Sequence, residues 1–517
     1  MEVLINKIMS TEANNKRIAK NTFYLYFRTI LIMVISLYTS RVILEALGVE
    51  DYGIYNVVGG VVSMFSVITG SLSASISRYI TYELGKEGAT TDRLMTLFST
   101  CMRIQITLGI IIIILGETVG LWFVSTQLNI PPERMMAAQW VWQCVLLAFF
   151  INLVSVPYNA SIIAHEHMNA FALVSIIDSV LKLLICYLVI NIGGDKLIVY
   201  ALLHVSIALL IRIIYATYCH RHFEECHYKR VKDKGLIKEM MSFASFSFLN
   251  NAANILNSQG LNILINIFFG VVLNAARGIA NQVEGAILQF INNFTLAVNP
   301  QITKSYAVGD KKRMFQLVCL GSKFAYFMLL FIAIPVFLET DYILKIWLKT
   351  VPDYTVAFLR LSIIGGMVKM LGNTGYTACM ATGNIKNYSI WITSVGILAF
   401  PLTWIAFSLG APAEYAYYVF IVVYVAVEVV RLILMKRMLD FPPIMYVKEV
   451  LFYILLVTPI SFIIPLLCVN VMNAGFTRLV VVTMVSIIST AIIVYYLGLN
   501  NKERKFFVNS IKTRLHR

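Results

Sequence analysis

Charge is scarce in this chain. Asp, Glu, Lys and Arg make up 13% of its 517 residues, about half the share of a water-soluble globular domain. That scarcity excludes an ordinary soluble fold. Cysteine pairs are missing too: the eight cysteines lie singly, mostly within apolar runs, with no CxxC, so disulfides are not implied. No HExxH, GxSxG or P-loop lysine pattern occurs, which removes the common hydrolase and nucleotide-binding signatures.

What the chain has instead is apolar length. Hydrophobic residues reach 59% and the mean hydropathy is +0.77. A spanning helix needs roughly 20 mainly apolar residues, and about fourteen such runs recur with almost nothing between them. They fall at 22–44, 52–73, 99–123, 138–158, 168–190, 197–218, 240–266, 271–299, 315–338, 355–378, 388–409, 414–435, 449–469 and 477–498. The expected class is an all-α polytopic membrane protein.

A net charge of +15 would suggest nucleic acid in a soluble chain, but here the bases collect on alternate connections. One side holds Lys16, Arg17 and Lys20, Lys86 and Arg93, Arg221 through Lys238, Lys311 to Arg313, Lys436 and Arg437, and the tail from Lys502. The other side holds Glu45, Glu50, Asp51, Glu133, Asp195, Glu339, Asp341, Asp353 and Glu414, with few bases. Positive loops stay cytoplasmic, so both termini are expected inside and the span count even. The charge records topology, and no nucleic-acid partner is implied. The polar, basic first 20 residues and the absence of a small-residue cleavage site point to an uncleaved first helix.

Ligand-type residues do cluster in CHRHFEECH, with Cys219, His220, His222, Cys226 and His227, but the spacing fits no zinc pattern. Solvated polar residues are expected in that basic loop, and the same holds for His165 and His167. No cofactor or metal is expected.

A long expected cytoplasmic connection, 219–239, lies between spans six and seven, and the halves it separates repeat. Span two begins GIYNVVGGVVSMF and span eight GIANQVEGAILQF. Gly53, Ile54, Asn56, Val58, Gly60 and Phe65 recur as Gly278, Ile279, Asn281, Val283, Gly285 and Phe290, at a constant offset of 225. Tyr82 to Lys86, YELGK, echoes YAVGDK at Tyr306. Upstream, ALGVEDYG faces FFGVVLNAARG, a weaker match that needs an insertion. Six spans separate the repeats, so they are parallel, an arrangement that places a transport site at the interface of the halves. The expected organisation is a cytoplasmic segment 1–20, an N-lobe 21–218, a linker 219–239, a C-lobe 240–437, two extra helices within 438–498 and a basic tail 499–517.

Polar stripes mark helix faces turned away from lipid. Span seven carries Asn251, Asn254, Ser258, Asn262 and Asn266; span eight carries Arg277, Asn281 and Glu284, all at spacings of three and four. Span one shows Tyr24, Arg28, Ser36 and Ser40, and span two Asn56, Ser63, Ser66, Ser73 and Ser77. Helices one, two, seven and eight are therefore the cavity candidates, with close helix packing as the alternative use of Asn, Ser and Gly. Span five adds Asp178 and Lys182, four apart, either a structural pair or a site for proton or sodium coupling. Lys369, Glu428 and Arg431 fit either use.

The segment SRVILEALGVEDYGIYNVVGGVVSMFSVITGSLSASISRYI at Ser40–Ile80 resembles polysaccharide flippases. These are the O-antigen and capsule repeat-unit translocases of the multidrug/oligosaccharidyl-lipid/polysaccharide (MOP) superfamily, which also holds multidrug extruders and lipid II flippases. The resemblance implies two six-helix lobes around a cavity lined by helices one, two, seven and eight. It implies transport of undecaprenyl-diphosphate-linked oligosaccharide across a bacterial inner membrane, with membrane lipids and other polysaccharide-assembly proteins as partners. Arg28 and Arg277 are the matches for cationic residues holding the diphosphate, Asn254, Asn262, Asn281 and Glu284 for the rest of the wall, and Asp178 with Lys182 for ion coupling. The two extra spans are like the lipid II branch. A multidrug extruder would predict a more apolar, aromatic and less cationic cavity. A membrane polymerase or ligase would need a sizeable outer loop, and the longest here run to only about a dozen residues.

Overall fold

A computed structural model describes residues 2–66, 90–165, 167–229, 255–382 and 385–501 and isolated positions between and beyond them. Side chains are described from 27 onward, apart from 290, 292–294, 296, 297, 300 and 385. Among the described residues there is no strand. The helical segments are α1 (Glu2–Ser63), α2 (Thr91–Thr126), α3 (Pro132–Ala164), α4 (Met168–Asn191), α5 (Lys196–His222), α6 (Leu261–Phe269) and α7 (Val271–Ala307). They continue as α8 (Lys311–Leu338), α9 (Thr355–Ala381), α10 (Lys386–Ser408), α11 (Tyr415–Leu439), α12 (Pro443–Val471) and α13 (Phe476–Gly498).

Eleven helices among the described residues are long and apolar enough to cross a membrane, against the fourteen expected. The difference has three sources. The first two runs fall in α1 as one helix interrupted only at Gly48 (φ 81, ψ 172). The seventh is described only from residue 255. The eighth falls in α7, where Asn274, Arg277, Asn281, Gln282 and Glu284 dilute the apolar content. The all-α polytopic class stands; the exact count of fourteen is not confirmed.

The repeat has a structural counterpart. Gly270, between α6 and α7, takes φ 83 and ψ −176, the same backbone conformation as Gly48. A positive φ is open to glycine at little cost, so both repeats break between their first two helices at a glycine. Gly48 precedes Gly53 by five residues and Gly270 precedes Gly278 by eight, which locates the insertion in the weak upstream match.

The chain divides into two compact units, Met1–Ala275 and Ala276–Arg517. In the first, Ile54, Val57, Val58 and Val61 of α1 pack with Val141 and Trp142 of α3 and Leu197 and Ala201 of α5. Helix α2 approaches α3 through small residues. A Cβ at Gly109, Gly116 or Gly120 would lie 2.4, 2.7 or 2.3 Å from Phe150, Leu146 or Trp142, respectively. Membrane helices associate largely by such close packing. Asp195 caps α5 by accepting from the Leu197 and Ile198 amides.

In the second unit α8 is central and α12 and α13 pack along it. Lys323, only 1% exposed, pairs with Glu503 at 2.7 Å. Glu339, with no exposed side-chain surface, pairs with Arg478 at 2.8 Å, and Tyr326 Oη lies 3.1 Å from Thr458 Oγ1 between them. Two ion pairs, each with one buried partner, thus clip α13 and the residues after it to α8.

Candidate functional site

Three polar regions lie within otherwise apolar helices, two in the first unit and one in the second. The first surrounds Arg28. Its guanidinium carbon stands 4.6 Å from the centre of the Phe171 ring, with Tyr215 in electrostatic reach. Its Nε is buried and has no hydrogen-bond partner among the described residues. A cation over an aromatic face is stabilised by the ring quadrupole, which leaves the planar N–H edge for an anion. Nearby, Lys182 Nζ donates to Asp178 Oδ2 at 2.7 Å. The lysine is 37% and the aspartate 29% exposed, so the pair is not sealed. His204 is in electrostatic reach of both and sits beside the Tyr55 and Tyr200 rings, 6.3 and 6.1 Å away.

The second region is a run of asparagines. Asn262, Asn266 and Asn274 are buried. The Asn129 amide donates to Asn266 Oδ1 (2.8 Å), and Asn266 Nδ2 donates to Asn274 Oδ1 (3.0 Å). Asn274 Nδ2 donates to the backbone oxygen (2.7 Å) and side-chain oxygen (2.9 Å) of Asn262. Asn262 Nδ2 donates in turn to the Asn56 carbonyl at 3.3 Å. The side chain of Asn262 is thus committed to other parts of the protein. Asn254, expected beside it, lies outside the described residues.

The third region is in the second unit. Arg277, Asn281 and Glu284 share one face of α7. Arg277 is 5% exposed, with its guanidinium carbon 5.6 Å from the Tyr417 ring centre. Glu284 is in electrostatic reach of Lys369 and Arg277. Lys369 Nζ stands 5.7 Å from the Tyr424 ring centre, and Asn281 is exposed. Tyr417 and Tyr424 are seven apart on α11 and pass unnoticed in the sequence, because an aromatic on an apolar helix reads as packing.

Two further charged groups have structural roles. Arg431 pairs with Glu428 and donates from Nε to Tyr388 Oη at 2.8 Å. This guanidinium fills the space beside Gly372, where a Cβ would lie 1.0 Å from Arg431 Nη1. The backbone turns there between Met370 and Asn373. The Leu371 carbonyl accepts from Ser322 Oγ (2.9 Å) and Tyr446 Oη (2.8 Å), as an interrupted helix within a membrane requires. In the first unit Arg134 bonds Asp51 and Asp195 with both edges of its fork, at 2.6–3.1 Å. The Arg134 guanidinium holds the Asp195 carboxyl below the usual carboxylate range. Only the scarcity of bases on that side could have drawn attention to Arg134.

The CHRHFEECH segment, expected as loop, is helical to His222 at the end of α5 and turns as a folded cap at Glu224–Cys226. Among the described residues no group of three or more His, Cys, Asp or Glu could hold a metal. His165 stacks on Phe223 at 4.2 Å and its Nε2 lies 2.5 Å from Glu225 Oε1. Burial pushes the Glu225 carboxyl up, and the His165 bond brings it below its ordinary value.

The sequence profile of polysaccharide biosynthesis proteins matches residues 18–306. No curated protein matches the chain. Among solved structures, the lipid II flippase MurJ in an inward closed conformation aligns with a TM-score of 0.68 at 12% identity, covering 92% of this chain and 98% of its own. A multidrug resistance MATE family transporter of the MOP superfamily, in an inward-facing conformation, aligns at 0.65 and 13% identity, covering 80% and 98%. A MOP superfamily transporter from Pyrococcus furiosus, characterised by a binding pocket of reverse polarity, aligns at 0.52 and 14%, covering 81% and 96%. At these identities the likeness is one of fold: this is a multi-pass membrane protein with the MOP transporter architecture.

Proposed function

The chain belongs to the polysaccharide biosynthesis protein family, and from that premise we propose that it is a flippase for undecaprenyl-diphosphate-linked oligosaccharide. It carries repeat units across the bacterial inner membrane by alternating access, with both termini in the cytoplasm. The observation that carries this reading is the placement of Arg277, Asn281 and Glu284 on one face of a membrane helix, with Lys369 in reach of Glu284. Charges at membrane depth cost several kcal/mol unless they serve a partner or a pathway. Arg28 offers a second cationic edge in the first unit.

Guanidinium suits bidentate contact with phosphate oxygens, so Arg28 and Arg277 hold the diphosphate. Asn281 meets sugar hydroxyls, while the polyprenyl tail stays in the bilayer. Asp178, exposed enough to exchange ions and paired with Lys182, is the candidate for proton or sodium coupling. A multidrug extruder fits less well, because an organic cation would meet Arg28, Arg277 and Lys369 as like charges. No step of this reading makes or breaks a covalent bond.

The test is reconstitution. Liposomes containing the protein and a nitrobenzoxadiazole-labelled undecaprenyl-diphosphate sugar should show accelerated loss of fluorescence to external dithionite. Transport of a cationic dye in place of the labelled lipid would favour the extruder.

A further inference from the structure

Arg212 takes no part in the three regions above. It sits on α5 ten residues before His222, about 15 Å along the helix from that end. Its guanidinium stacks on Tyr158 of α3, the carbon 4.3 Å from the ring centre. His220, further along α5, meets the same ring from its edge, at 5.9 Å and 66°. His227 packs against His220 with 4.9 Å between ring centres, and is itself fixed by a 2.9 Å bond between Nδ1 and the Glu224 carbonyl. Arg212 Nη1 is buried with no hydrogen-bond partner among the described residues. Two acids at this end of the unit are committed, Glu225 to His165 at 2.5 Å and Asp92 to Lys229 at 2.5 Å.

Lipid-facing surface continues from this polar spot. Leu202, Leu209, Ile213 and His220 are seven, four and seven residues apart, a spacing that keeps them on one helix face, and all four are exposed. Arg212 lies at the edge of that face, next to Ile213. The result is a basic head above an apolar stripe, at the helix end that charge asymmetry assigns to the cytoplasm.

We propose that Arg212 and His220 bind the phosphate of an anionic membrane phospholipid, with an acyl chain along Leu209 and Ile213. Stacking leaves the planar N–H edge of a guanidinium free, and that edge suits phosphate oxygens. An imidazole donates one N–H even when neutral. A basic residue that merely snorkels gives its donors to water, whereas Nη1 here is shielded. Basic pockets between membrane helices on the cytoplasmic side suit anionic headgroups. Free phosphate would meet only the head of the site; a lipid fills head and stripe together. Through Arg212 and Tyr158 the ligand braces α5 against α3 beside the folded cap, so its occupancy steadies that end of the first unit. The site depends on the proposed topology and on no transport step.

The test is native mass spectrometry of the full chain in detergent, with dioleoyl phosphatidylglycerol or dioleoyl phosphatidylcholine added. The first phosphatidylglycerol should bind at least about tenfold tighter, as one charged hydrogen bond implies, and should raise the unfolding temperature. Arg212→Gln should abolish that preference. His220→Gln, which changes an exposed ring, should weaken it at unchanged abundance. Phosphatidylglycerol bound no better than phosphatidylcholine by the wild type, or a preference kept in full by both variants, would overturn the site.

Inorganic phosphate in excess should leave the lipid bound; displacement would make the ligand a free phosphate and end the lipid assignment. Displacement by the labelled undecaprenyl-diphosphate sugar would give the site to the carrier and equally overturn the phospholipid. A failed flippase assay leaves each of these readouts intact, so the two readings fail separately.

Discussion

At the seam beside Gly270, neutral amides meet neutral amides; along α8, a buried lysine meets Glu503 and a buried glutamate meets Arg478. Both kinds of contact satisfy polar groups within apolar surroundings, and the difference lies in what separation costs. A neutral hydrogen bond contributes about 1 kcal/mol net, because water offers an equivalent. Leaving one member of a buried ion pair behind costs about 3–5 kcal/mol. The amide bonds of the seam are thus built from groups that water can serve. Contacts between α8 and the last two helices are built from groups that water must not be asked to serve.

The largest effect is expected where that contrast is greatest. Glu339→Ala strands Arg478 and should lower stability by about 3–5 kcal/mol, measured as thermal unfolding in detergent. Glu339→Gln combined with Arg478→Met should recover most of the loss. Equal damage from the single and double variants would show that the clip acts by packing and erase the distinction drawn here.

Next comes Arg277, which on the proposed function meets substrate charge. Bonds to charged groups contribute about 1.5–3 kcal/mol, so Arg277→Ala should slow transport roughly 10- to 100-fold at unchanged abundance. Arg277→Lys should recover only part, because the planar fork is lost. Normal surface polysaccharide in the Ala variant would remove Arg277 from the site.

Asp178 and Lys182 stand between seam and clip, being charged but about a third exposed. Pairs this open contribute little, so Asp178→Asn with Lys182→Met should fold normally. If Asp178 couples transport to an ion, the double variant should lose its response to imposed proton or sodium gradients. Retained gradient dependence would end that role.

The smallest effect belongs to Asp195. Its folded pKa is depressed, so its contribution is present above the unfolded value near 3.9 and lost as pH falls through the lower folded one. Asp195→Asn should therefore lower the unfolding temperature slightly at pH 7, and the gap from wild type should close below about pH 4. A gap that persists in acid would mean that the Arg134 bridge acts through shape.

Much of this was legible in the sequence because membrane helices obey two strong rules, apolar length and charge asymmetry. The apolar runs follow from these, the repeat from identities at an offset of 225, and the polar faces of α6 and α7 from spacings of three and four. The partners of the polar residues could not be read the same way. Asn262 at helical spacing fits a cavity wall and an amide network equally, and only the positions of Asn56 and Asn274 show which bonds it makes. Nor does an offset of 225 reveal that Gly48 and Gly270 adopt one backbone conformation. The ion pairs on α8 were illegible for a simpler reason: Glu339 and Arg478 are 139 residues apart, and no local pattern links them.

That distance along the chain also sets an order of events during synthesis. Lys323 and Glu339 leave the ribosome well before their partners, Glu503 being 180 residues later than Lys323. At about 5–20 residues per second, the nascent chain holds an unmatched intramembrane lysine for roughly 10–40 s. During that interval the second unit holds an uncompensated charge. A chain stopped before Arg478 would carry both orphans permanently. The clips thus tie the charge balance of the second unit to the arrival of its last helices.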